Sequence, residues 1–423
     1  MSDRSEHIVV VGAGAAGLMA ARELARAGRK VTILEARRRC GGRIYPLSAS
    51  EFGYPADGGA EFVHGEAPVT RALLLQAGLS LQVIEGEQWR FDGTKLAREN
   101  RHDPHEAELH AKLRSLQDDL TVADFLRRHF AEDDYAPMRH SIERMVEGYD
   151  AADPERASTL ALRAEWMDRG HAPQARVADG YGAMIDFLSA DCRRQGVTIR
   201  LGCAVSAIAE EDGVATVRCA GGEVHTCDRV ILTVPLPLLR EISLPAGARA
   251  KLAAADDIGF GNVIKILLRF ARPWWRERTE DLGDMTFLLS DETIPVWWTR
   301  HPDQHPLLTG WFGGPRTAEL DGLDVQGLIE AGLGSLAAIF NLPRDDLARE
   351  LVAAAAINWA HDRFARGAYS WATPRTREAQ GILARADGPV LFSGEALYRG
   401  RDMGTVEAAL ASGLETATTI LQG

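Results

Sequence analysis

The first 35 residues constrain the fold of this chain more than any other segment. The apolar run His7–Val11 predicts a buried parallel strand, and it leads directly into three glycines at G-x-G-x-x-G spacing. A helix over Ala15–Ala27 and a second strand over Val31–Leu34 follow, and Glu35 stands at the end of that strand. This order is the complete βαβ pattern of a dinucleotide-binding domain.

Each glycine of the motif has its own steric task. Gly12 allows the tight turn, Gly14 lets the backbone approach a pyrophosphate, and Gly17 lets the helix pack closely against the strand. Glu35 is placed to accept hydrogen bonds from a ribose, and it would repel the 2′-phosphate of NADP. The combination of strand, helix, spacing and acid argues against a simple glycine-rich turn.

A second turn rich in glycine and arginine favours FAD over NAD. It contains Arg37, Gly42 and Arg43, just beyond the second strand. Their backbone and guanidinium groups are suited to the phosphates and to the start of the ribityl arm. The alternative is that these arginines form an exposed basic loop, and we expect at least one of the three arginines at 37–39 to be exposed in this way.

The segment Glu35–Arg43 resembles the E-A-x-x-R-x-G-G-R signature of the flavin-containing amine oxidases. This family includes monoamine oxidases, polyamine oxidases and lysine-specific histone demethylases. Four further segments match in order across nearly the whole chain, namely Asp57–Gly65, Gly261–Ile266, Arg366–Trp371 and Phe392–Ala396. The resemblance implies an α/β fold in which a Rossmann-like FAD-binding domain is interleaved with an α+β substrate-binding domain.

We expect the chain to cross between these two domains several times. The FAD-binding domain is predicted over 1–70, 172–255 and 385–423, and the substrate-binding domain over 71–171 and 256–384, with boundaries good to about ten residues. The tryptophans of the second domain either line a pocket or fill the core; they are Trp274, Trp275, Trp297, Trp298 and Trp311.

The resemblance also implies further FAD contacts. They are expected at Gly59, Ala60, Val205, Trp359, Gly394, Glu395, Thr405 and Val406. Val205 corresponds to a backbone contact with adenine, and Trp359 to a side chain beside the flavin. The helix that begins at Val406 would direct its positive end toward the pyrimidine end of the flavin. Ala368 replaces the cysteine that attaches FAD in monoamine oxidases, so FAD is expected to bind noncovalently.

Lys265 interrupts the otherwise apolar strand Val263–Phe270. The pattern alone allows two interpretations, a buried functional lysine or an edge-strand lysine that opposes aggregation. The resemblance favours the first, because this position matches the lysine that holds a water against the flavin N5 in the family. A cation there favours electron transfer to oxygen.

Five residues are candidates for binding an amine. Tyr369 matches one wall of the family's aromatic cage, whereas Thr405 stands where monoamine oxidases have the second tyrosine. Spermine-type polyamine oxidases and histone demethylases also have threonine there. His64 lies in a segment similar to the channel motif of animal polyamine oxidases, although a lone histidine beside glycine is otherwise a polar loop residue. Glu61 and Glu66 are nearby acids that could attract a distal ammonium.

Composition limits the partners and the compartment. The net charge of −12 argues against nucleic acid, and no run of 18 apolar residues predicts a membrane span. The five cysteines are an odd number without metal-like clustering, so we expect a reducing cytosol, no disulfide framework and no metal site. The polar start Met1–Glu6 does not resemble a secretory signal, which fits a cytoplasmic protein.

Together these features predict an FAD-dependent oxidase. It would transfer hydride from the α-carbon of a polyamine or other extended amine to flavin, giving an imine and then an aldehyde, with O2 reduced to hydrogen peroxide. Three alternatives stay open at this stage: an L-amino-acid oxidase of the same superfamily, a flavin desaturase, and a flavoprotein without catalytic activity. Neither the particular amine nor the oligomeric state follows from the sequence.

Overall fold

The computed structural model describes residues 6–99, 103–167, 172–278, 280, 282–386 and 388–423. The predicted polar start falls outside these residues except for Glu6, and so does residue 171, where a domain boundary was predicted.

The described residues form 20 strands. They are β1 His7–Val11, β2 Lys30–Glu35, β3 Phe62–Val63, β4 Leu81–Val83, β5 Glu87–Phe91, β6 Leu96–Arg98, β7 Ala175–Val177, β8 Thr198–Leu201, β9 Val205–Glu211, β10 Val214–Cys219, β11 Val224–Cys227, β12 Arg229–Leu232, β13 Gly259–Gly261, β14 Val263–Phe270, β15 Met285–Leu289, β16 Val296–Trp298, β17 Leu307–Gly313, β18 Leu351–Asn358, β19 Tyr369–Trp371 and β20 Val390–Phe392.

The same residues form 13 α-helices. They are α1 Ala15–Arg26, α2 Ala49–Phe52, α3 Pro68–Ala77, α4 Glu106–Ser115, α5 Val122–His129, α6 Ala136–Gly148, α7 Thr159–Met167, α8 Gly180–Arg194, α9 Ala246–Ala250, α10 Val325–Phe340, α11 Arg344–Glu350, α12 Thr376–Leu383 and α13 Val406–Gln422.

A five-stranded parallel sheet in the order β20-β12-β1-β2-β8 carries the dinucleotide motif. Ile8 and Val10 pack on the side of α1, α8 and α13, whereas Val9 and Val11 pack on the opposite face. Burial of both faces explains why β1 is an unbroken apolar run. The strands come from the three segments assigned to the FAD-binding domain, and the Rossmann-like fold prediction is confirmed.

The second large sheet has seven strands in the order β18-β14-β17-β16-β15-β5-β6, and α10 packs against it. Strand β14 pairs with β17 on one side and with β18 on the other. The interpretation of Lys265 as an edge-strand lysine is therefore wrong. Trp274, Trp275 and Trp297 fill the core of this domain, whereas Trp298 and Trp311 line a cavity.

Smaller units complete the architecture. Helices α4 to α7 pack around a separate apolar cluster that includes Phe125 and Phe130. Strand β7 joins β3 to β4 in a three-stranded sheet, so this sheet combines residues from both predicted domains. A three-stranded antiparallel sheet, β11-β10-β9, lies beside the parallel sheet. The residue limits of the two domains stay a prediction.

The expectation of no disulfide is wrong, because the structure joins Cys203 to Cys219. Cys219 ends β10 and pairs with Val205, two residues after Cys203, so the antiparallel register brings the two cysteine Cα atoms to 5.6 Å. The 16-residue separation alone does not reveal this register. Cys40, Cys192 and Cys227 remain thiols.

The structure also bears on membrane insertion. Among the described residues, no single helix is both long and apolar enough to cross a membrane. The helices α10 and α11 meet that criterion only when taken together, and they are bent by 118° relative to each other.

Candidate active site

A cavity of about 1860 Å³ extends from the end of the parallel sheet into the second domain. Its volume exceeds the roughly 300–1,000 Å³ of ordinary ligand pockets, which suits a large cofactor together with a substrate. The predicted site residues that line it are Gly12, Gly14, Glu35, Arg37, Gly42, Arg43, Gly59, Ala60, Glu61, His64, Val205, Lys265, Trp359, Tyr369, Gly394, Glu395, Thr405 and Val406. The structure thus brings together residues from the whole length of the chain.

The glycines of the motif differ in what surrounds them. A Cβ on Gly17 would lie 2.1 Å from the carbonyl oxygen of Gly12, so this position permits the close packing of α1 beneath the cavity. Gly12 has a φ of +108°, as the tight turn requires. Nothing lies within 4 Å of the corresponding Cβ positions of Gly14 and Gly394. At these two positions the backbone is open to a ligand, and this matches a pyrophosphate and ribityl path.

Glu35 is fixed at the end of β2 by backbone donors. The N–H groups of Ala13 and Arg37 each donate to one of its carboxylate oxygens, both at 2.7 Å. Burial raises the pKa of Glu35, while the two N–H groups and the nearby arginines act in the opposite direction. The carboxylate therefore faces the cavity in a single orientation that suits a ribose hydroxyl pair.

The arginines of the second turn have different partners. The two Nη atoms of Arg37 bind the carboxylate of Asp362 at 2.9 and 2.6 Å, so its contact with a phosphate stays a prediction. Arg43 Nη1 donates to the carbonyl oxygen of Ala368 at 2.7 Å and to Glu395 Oε1 at 2.8 Å. Arg39 donates to carbonyl groups of its own turn, whereas Arg38 is exposed. The exposed-loop alternative therefore applies to Arg38.

Lys265 is buried, with 1 % of its surface exposed, and its ammonium points toward the cavity. The Nζ atom donates to Glu61 Oε2 at 2.8 Å and to the carbonyl oxygen of Gly59 at 3.0 Å. It also lies 5.4 Å from the centre of the Trp298 ring. Two of its three protons are thus held by the protein, which leaves one N–H for a group in the cavity.

Glu61 is held by cations from separate parts of the chain. Its Oε1 atom accepts from Arg176 Nε at 2.9 Å, and Trp298 Nε1 lies 3.1 and 3.2 Å from its two oxygens. Burial would raise the pKa of Glu61, but Lys265, Arg176 and Arg300 outweigh it and lower the pKa to about 2. Since both oxygens are occupied, we assign Glu61 to holding Lys265. The predicted contact of Glu61 with a substrate ammonium stays a prediction.

Asp57 is a second buried carboxyl group in this region. Burial, and next the negative charge of Glu61, raise its pKa to about 7. The two carboxyl groups thus differ in their protonation at neutral pH, because only Glu61 bonds directly to Lys265 and Arg176.

Tyr369 presents its ring to the cavity in a fixed orientation. Its hydroxyl donates to the carbonyl oxygen of Tyr149 at 2.6 Å, and its ring stacks on Trp311 at a centroid distance of 6.3 Å. Burial, followed by Asp150, Tyr149 and Glu165, raises the pKa of Tyr369 well above its usual value. The side chain is therefore a neutral hydroxyl near two carboxylates.

His64 lies on the same side of the cavity. Its Nδ1 atom is 3.1 Å from the Tyr149 hydroxyl and 3.4 Å from Gln174 Nε2. Tyr149 thus links His64 to Tyr369, and sequence reasoning did not identify this link.

Thr405 caps a helix in addition to lining the cavity. It is the N-cap of α13, where its Oγ1 atom accepts from Ala408 N at 3.2 Å and its hydroxyl donates to the carbonyl oxygen of Asp402 at 2.5 Å. Thr405 and Val406, at the start of α13, both line the cavity, and the positive end of the helix dipole is at this end. Its predicted direction toward the pyrimidine end of the flavin stays a prediction.

Comparison with known proteins identifies the family. The model for flavin-containing amine oxidoreductases matches residues 15–421. The chain belongs to this family. Membership makes FAD the cofactor of this protein. The open backbone at Gly14 and Gly394, the oriented Glu35 and the helix terminus at Thr405 fit that cofactor.

Named proteins similar to this chain differ in length and in the activity that their names state. Lysine-specific histone demethylase 1 homolog 3 of Arabidopsis thaliana is 25% identical over 98% of this chain and 30% of its own length. Polyamine oxidase 2 of the same plant is 28% identical over 67% of this chain and 62% of its own length. The chain thus spans less than two thirds of either relative. A solved structure of putrescine oxidase bound to putrescine superposes with a TM-score of 0.82 at 20% identity, covering 99% of both chains.

Sequence reasoning missed two residues that shape the site, Arg176 and Tyr149, and named Trp298 only as a tryptophan that could line a pocket. All three contact predicted site residues directly. The only sequence signal for Arg176 is a charged residue inside the short apolar segment Ala175–Val177, the same kind of signal that drew attention to Lys265. Tyr149 has no comparable signal, because it follows the end of α6 in a polar segment.

Proposed function

We propose that this amine oxidoreductase oxidises an extended amine, of the diamine or polyamine class, and passes the electrons to O2. The products are an imine, which water hydrolyses to an aldehyde and a shortened amine or ammonia, and hydrogen peroxide. The observation that carries this proposal is the buried Lys265 ammonium, which faces the same cavity as the Tyr369 ring.

The two residues serve different halves of the reaction. Tyr369 offers one aromatic face to the amine, and its bond to Tyr149 together with its stacking on Trp311 keeps that face in place. When bound, FAD accepts a hydride from the α-carbon of the amine and later gives two electrons to O2. Lys265 places a fixed positive charge where negative charge develops on oxygen, and Glu61 and Gly59 keep that charge from rotating away.

The cavity favours a long, cationic substrate. Thr405 lines the cavity at the position where monoamine oxidases have the second tyrosine of the cage, so the chain supplies no aromatic ring at that position. Carboxylate side chains line the cavity, among them Glu66, Glu147, Asp150, Glu165 and Asp402. They suit a distal ammonium, and the solved putrescine oxidase shows the same fold around a diamine. We assign to these cavity carboxylates the attraction of a distal ammonium that the sequence analysis predicted for Glu61.

An amino-acid oxidase is less well supported. Such an enzyme needs an arginine for the substrate carboxylate. Six arginines line the cavity in the described residues. Four of them pair with carboxylates of the protein: Arg37 with Asp362, Arg43 with Glu395, Arg90 with Glu99 and Arg144 with Glu147. A substrate carboxylate would have to displace one of these partners or bind at Arg363 or Arg401, the other two arginines of the lining.

A peroxide-release screen of the purified protein tests the proposal. The panel contains putrescine, spermidine, spermine, benzylamine, cyclohexylamine, L-amino acids and a hydrophobic polyene. We expect the highest kcat/KM for a diamine or polyamine. Preference for an amino acid or the polyene would overturn the substrate class. Anaerobic bleaching of the flavin by a diamine, without peroxide release in air, would overturn O2 as the acceptor.

A further inference from the structure

Four side chains of metal-binding type converge beside the β11-β10-β9 sheet, away from the Lys265 site. The Sγ atoms of Cys203 and Cys219 and a ring nitrogen of His225 all lie within 4.8 Å of one another. Glu223 Oε2 lies 3.4 Å from His225 Nε2 and 3.8 Å from Cys203 Sγ. Two sulfurs, one imidazole nitrogen and one carboxylate oxygen thus occupy a single small volume.

The local fold creates this arrangement. The pair Gly221-Gly222 turns β10 back into β11, and the register sets Val217 opposite His225. Cys219 lies two residues beyond Val217 on the same face of β10, so it comes next to His225. Cys203 enters from the other side, because it precedes β9, which pairs with β10. Residues from three consecutive strand ends therefore meet at one edge of the sheet.

The imidazole points to a missing ligand. The Nε2 atom of His225 is buried and makes no hydrogen bond of good geometry among the described residues, although Glu223 Oε2 lies 3.4 Å away; a buried polar atom of this kind needs an explanation. The two cysteines are also buried, whereas Glu223 is half exposed. A small cavity of about 230 Å³, lined by Cys203, Cys219 and Glu223, provides access from solvent.

We propose that the reduced form of this cluster binds a zinc ion through Cys203, Cys219, His225 and Glu223. In the structure the two sulfurs form a disulfide, so the site opens only after reduction. A dithiol reductant cleaves the S–S bond with two electrons and two protons, giving two cysteine thiols, and is itself oxidised to a disulfide. Zinc binding then releases the two thiol protons to solvent.

The ligand set suits zinc and not a harder cation. Two thiolates, one neutral imidazole and one carboxylate provide tetrahedral coordination of the kind that zinc prefers, and thiolates exclude magnesium and calcium. Three negative ligands around a divalent ion leave one negative charge, and Arg200 lies 3.4 Å from Glu223 to balance it. The ion would join the segment before β9 to the β10–β11 hairpin, which is the connection that the disulfide makes in the oxidised protein.

Cobalt titration of the flavin-loaded protein tests the site independently of any amine. The protein is reduced with a phosphine, freed of reductant without air, and titrated with Co²⁺, whose d–d bands lie at longer wavelength than the flavin absorption. We expect one equivalent of tetrahedral Co²⁺ in the reduced protein and none in the oxidised protein. Zinc should displace the cobalt, and metal analysis should then find one zinc per chain.

Variants locate the ligands. Cys203→Ser and His225→Asn should abolish the tetrahedral cobalt bands, whereas Cys227→Ser, which removes a nearby buried thiol, should leave them unchanged. Circular dichroism and flavin content confirm that each variant is folded. Three results would overturn the proposal: two titratable new thiols without cobalt bands, bands that persist in both ligand variants, or a disulfide that a phosphine does not reduce in the native protein. The first and third use only the parent protein.

Discussion

Lys265 and Glu61 form a buried ion pair, with 2.8 Å between Nζ and Oε2, at the wall of the cofactor cavity. A buried pair of this kind is seldom retained for stability alone, since hydrophobic residues of similar volume often serve as well. Because the ion pair lies beside the cavity, Glu61 keeps the Lys265 cation oriented toward the place where oxygen is reduced in the proposed reaction.

Replacement of Lys265 should separate the two halves of the reaction. We expect Lys265→Met to slow flavin reoxidation by O2 by about one to two orders of magnitude, because a fixed positive charge is lost where negative charge develops. Anaerobic reduction of the flavin by the amine should change far less. Stopped-flow absorbance measures each half-reaction separately. Equal reoxidation rates in the variant and the parent would contradict this role.

Replacement of Glu61 should act through Lys265. The Glu61→Gln variant keeps hydrogen-bonding atoms but removes the charge, so Lys265 and Arg176 become two buried cations without their shared anion. We expect the rate of flavin reoxidation by O2 to begin to fall, as the pH is raised, at a lower pH in the variant than in the parent. We also expect a lower free energy of unfolding, since breaking a buried pair costs about 3–5 kcal/mol.

Glu66→Gln is the matched control for Glu61→Gln. It removes an exposed cavity carboxylate from the same segment without touching Lys265. Its pH profile for the oxygen reaction should match that of the parent. A shift of equal size in both variants would show that Glu61 acts only through the general charge of the cavity.

Asp57 makes stability depend on pH in a direction unusual for an aspartate. Its pKa is about 7 in the folded protein and about 3.8 when unfolded, so folding favours the protonated form. The stabilising contribution is complete below about pH 4 and is lost as the pH rises through about 7. We therefore expect the free energy of unfolding of Asp57→Asn, measured relative to that of the parent, to be larger at about pH 8 than at about pH 5.

Denaturant unfolding at the two pH values measures this effect. Asp92→Asn is the control, because Asp92 is exposed and its pKa is lowered to about 2 by Thr94 and Lys95, so it stays ionised at both pH values. Its stability difference from the parent should therefore be the same at each pH. A constant difference for Asp57→Asn as well would contradict the raised pKa.

Thr405 sets the balance between extended and compact amines. We expect Thr405→Tyr to raise kcat/KM for benzylamine relative to a diamine, by up to about thirtyfold, because a second aromatic face contributes roughly 0.5–2 kcal/mol. Thr405→Ala is the control, since both changes remove the N-cap of α13 but only one adds a ring. An unchanged ratio in the tyrosine variant would refute the open-cage explanation.

FAD should be released in full when the protein is denatured. Ala368 offers no atom for a covalent bond to the flavin, and its carbonyl oxygen accepts from Arg43. Acid precipitation followed by absorbance of the supernatant measures the release. Flavin that stays with the precipitate would contradict noncovalent binding.

The cofactor half of the site was predictable because its residues are adjacent in sequence. Gly12, Gly14 and Gly17 act within one turn, and Glu35 ends the next strand, so local spacing contains the information. The strand Val263–Phe270 was likewise predicted from its apolar run, and the structure gives the same bounds.

The surroundings of Lys265 were not predictable in this way. Glu61 is 204 residues from Lys265, 115 from Arg176 and 237 from Trp298, and no local pattern connects them. The sequence does not show the distant ion-pair partners of Glu61, so the sequence analysis considered only a contact between this acid and the substrate. The disulfide was missed for the same reason, since only the register of β9 and β10 brings its cysteines together.

The bond between Arg43 and Glu395 spans 352 residues, and it has a consequence for biosynthesis. Strand β20 and helix α13 complete a cofactor site that begins with β1. A nascent chain therefore cannot complete its FAD site until the segment through α13 has left the ribosome. Loading of the cofactor follows the synthesis of that segment, and flavin content measures how many chains in a preparation have assembled the complete site.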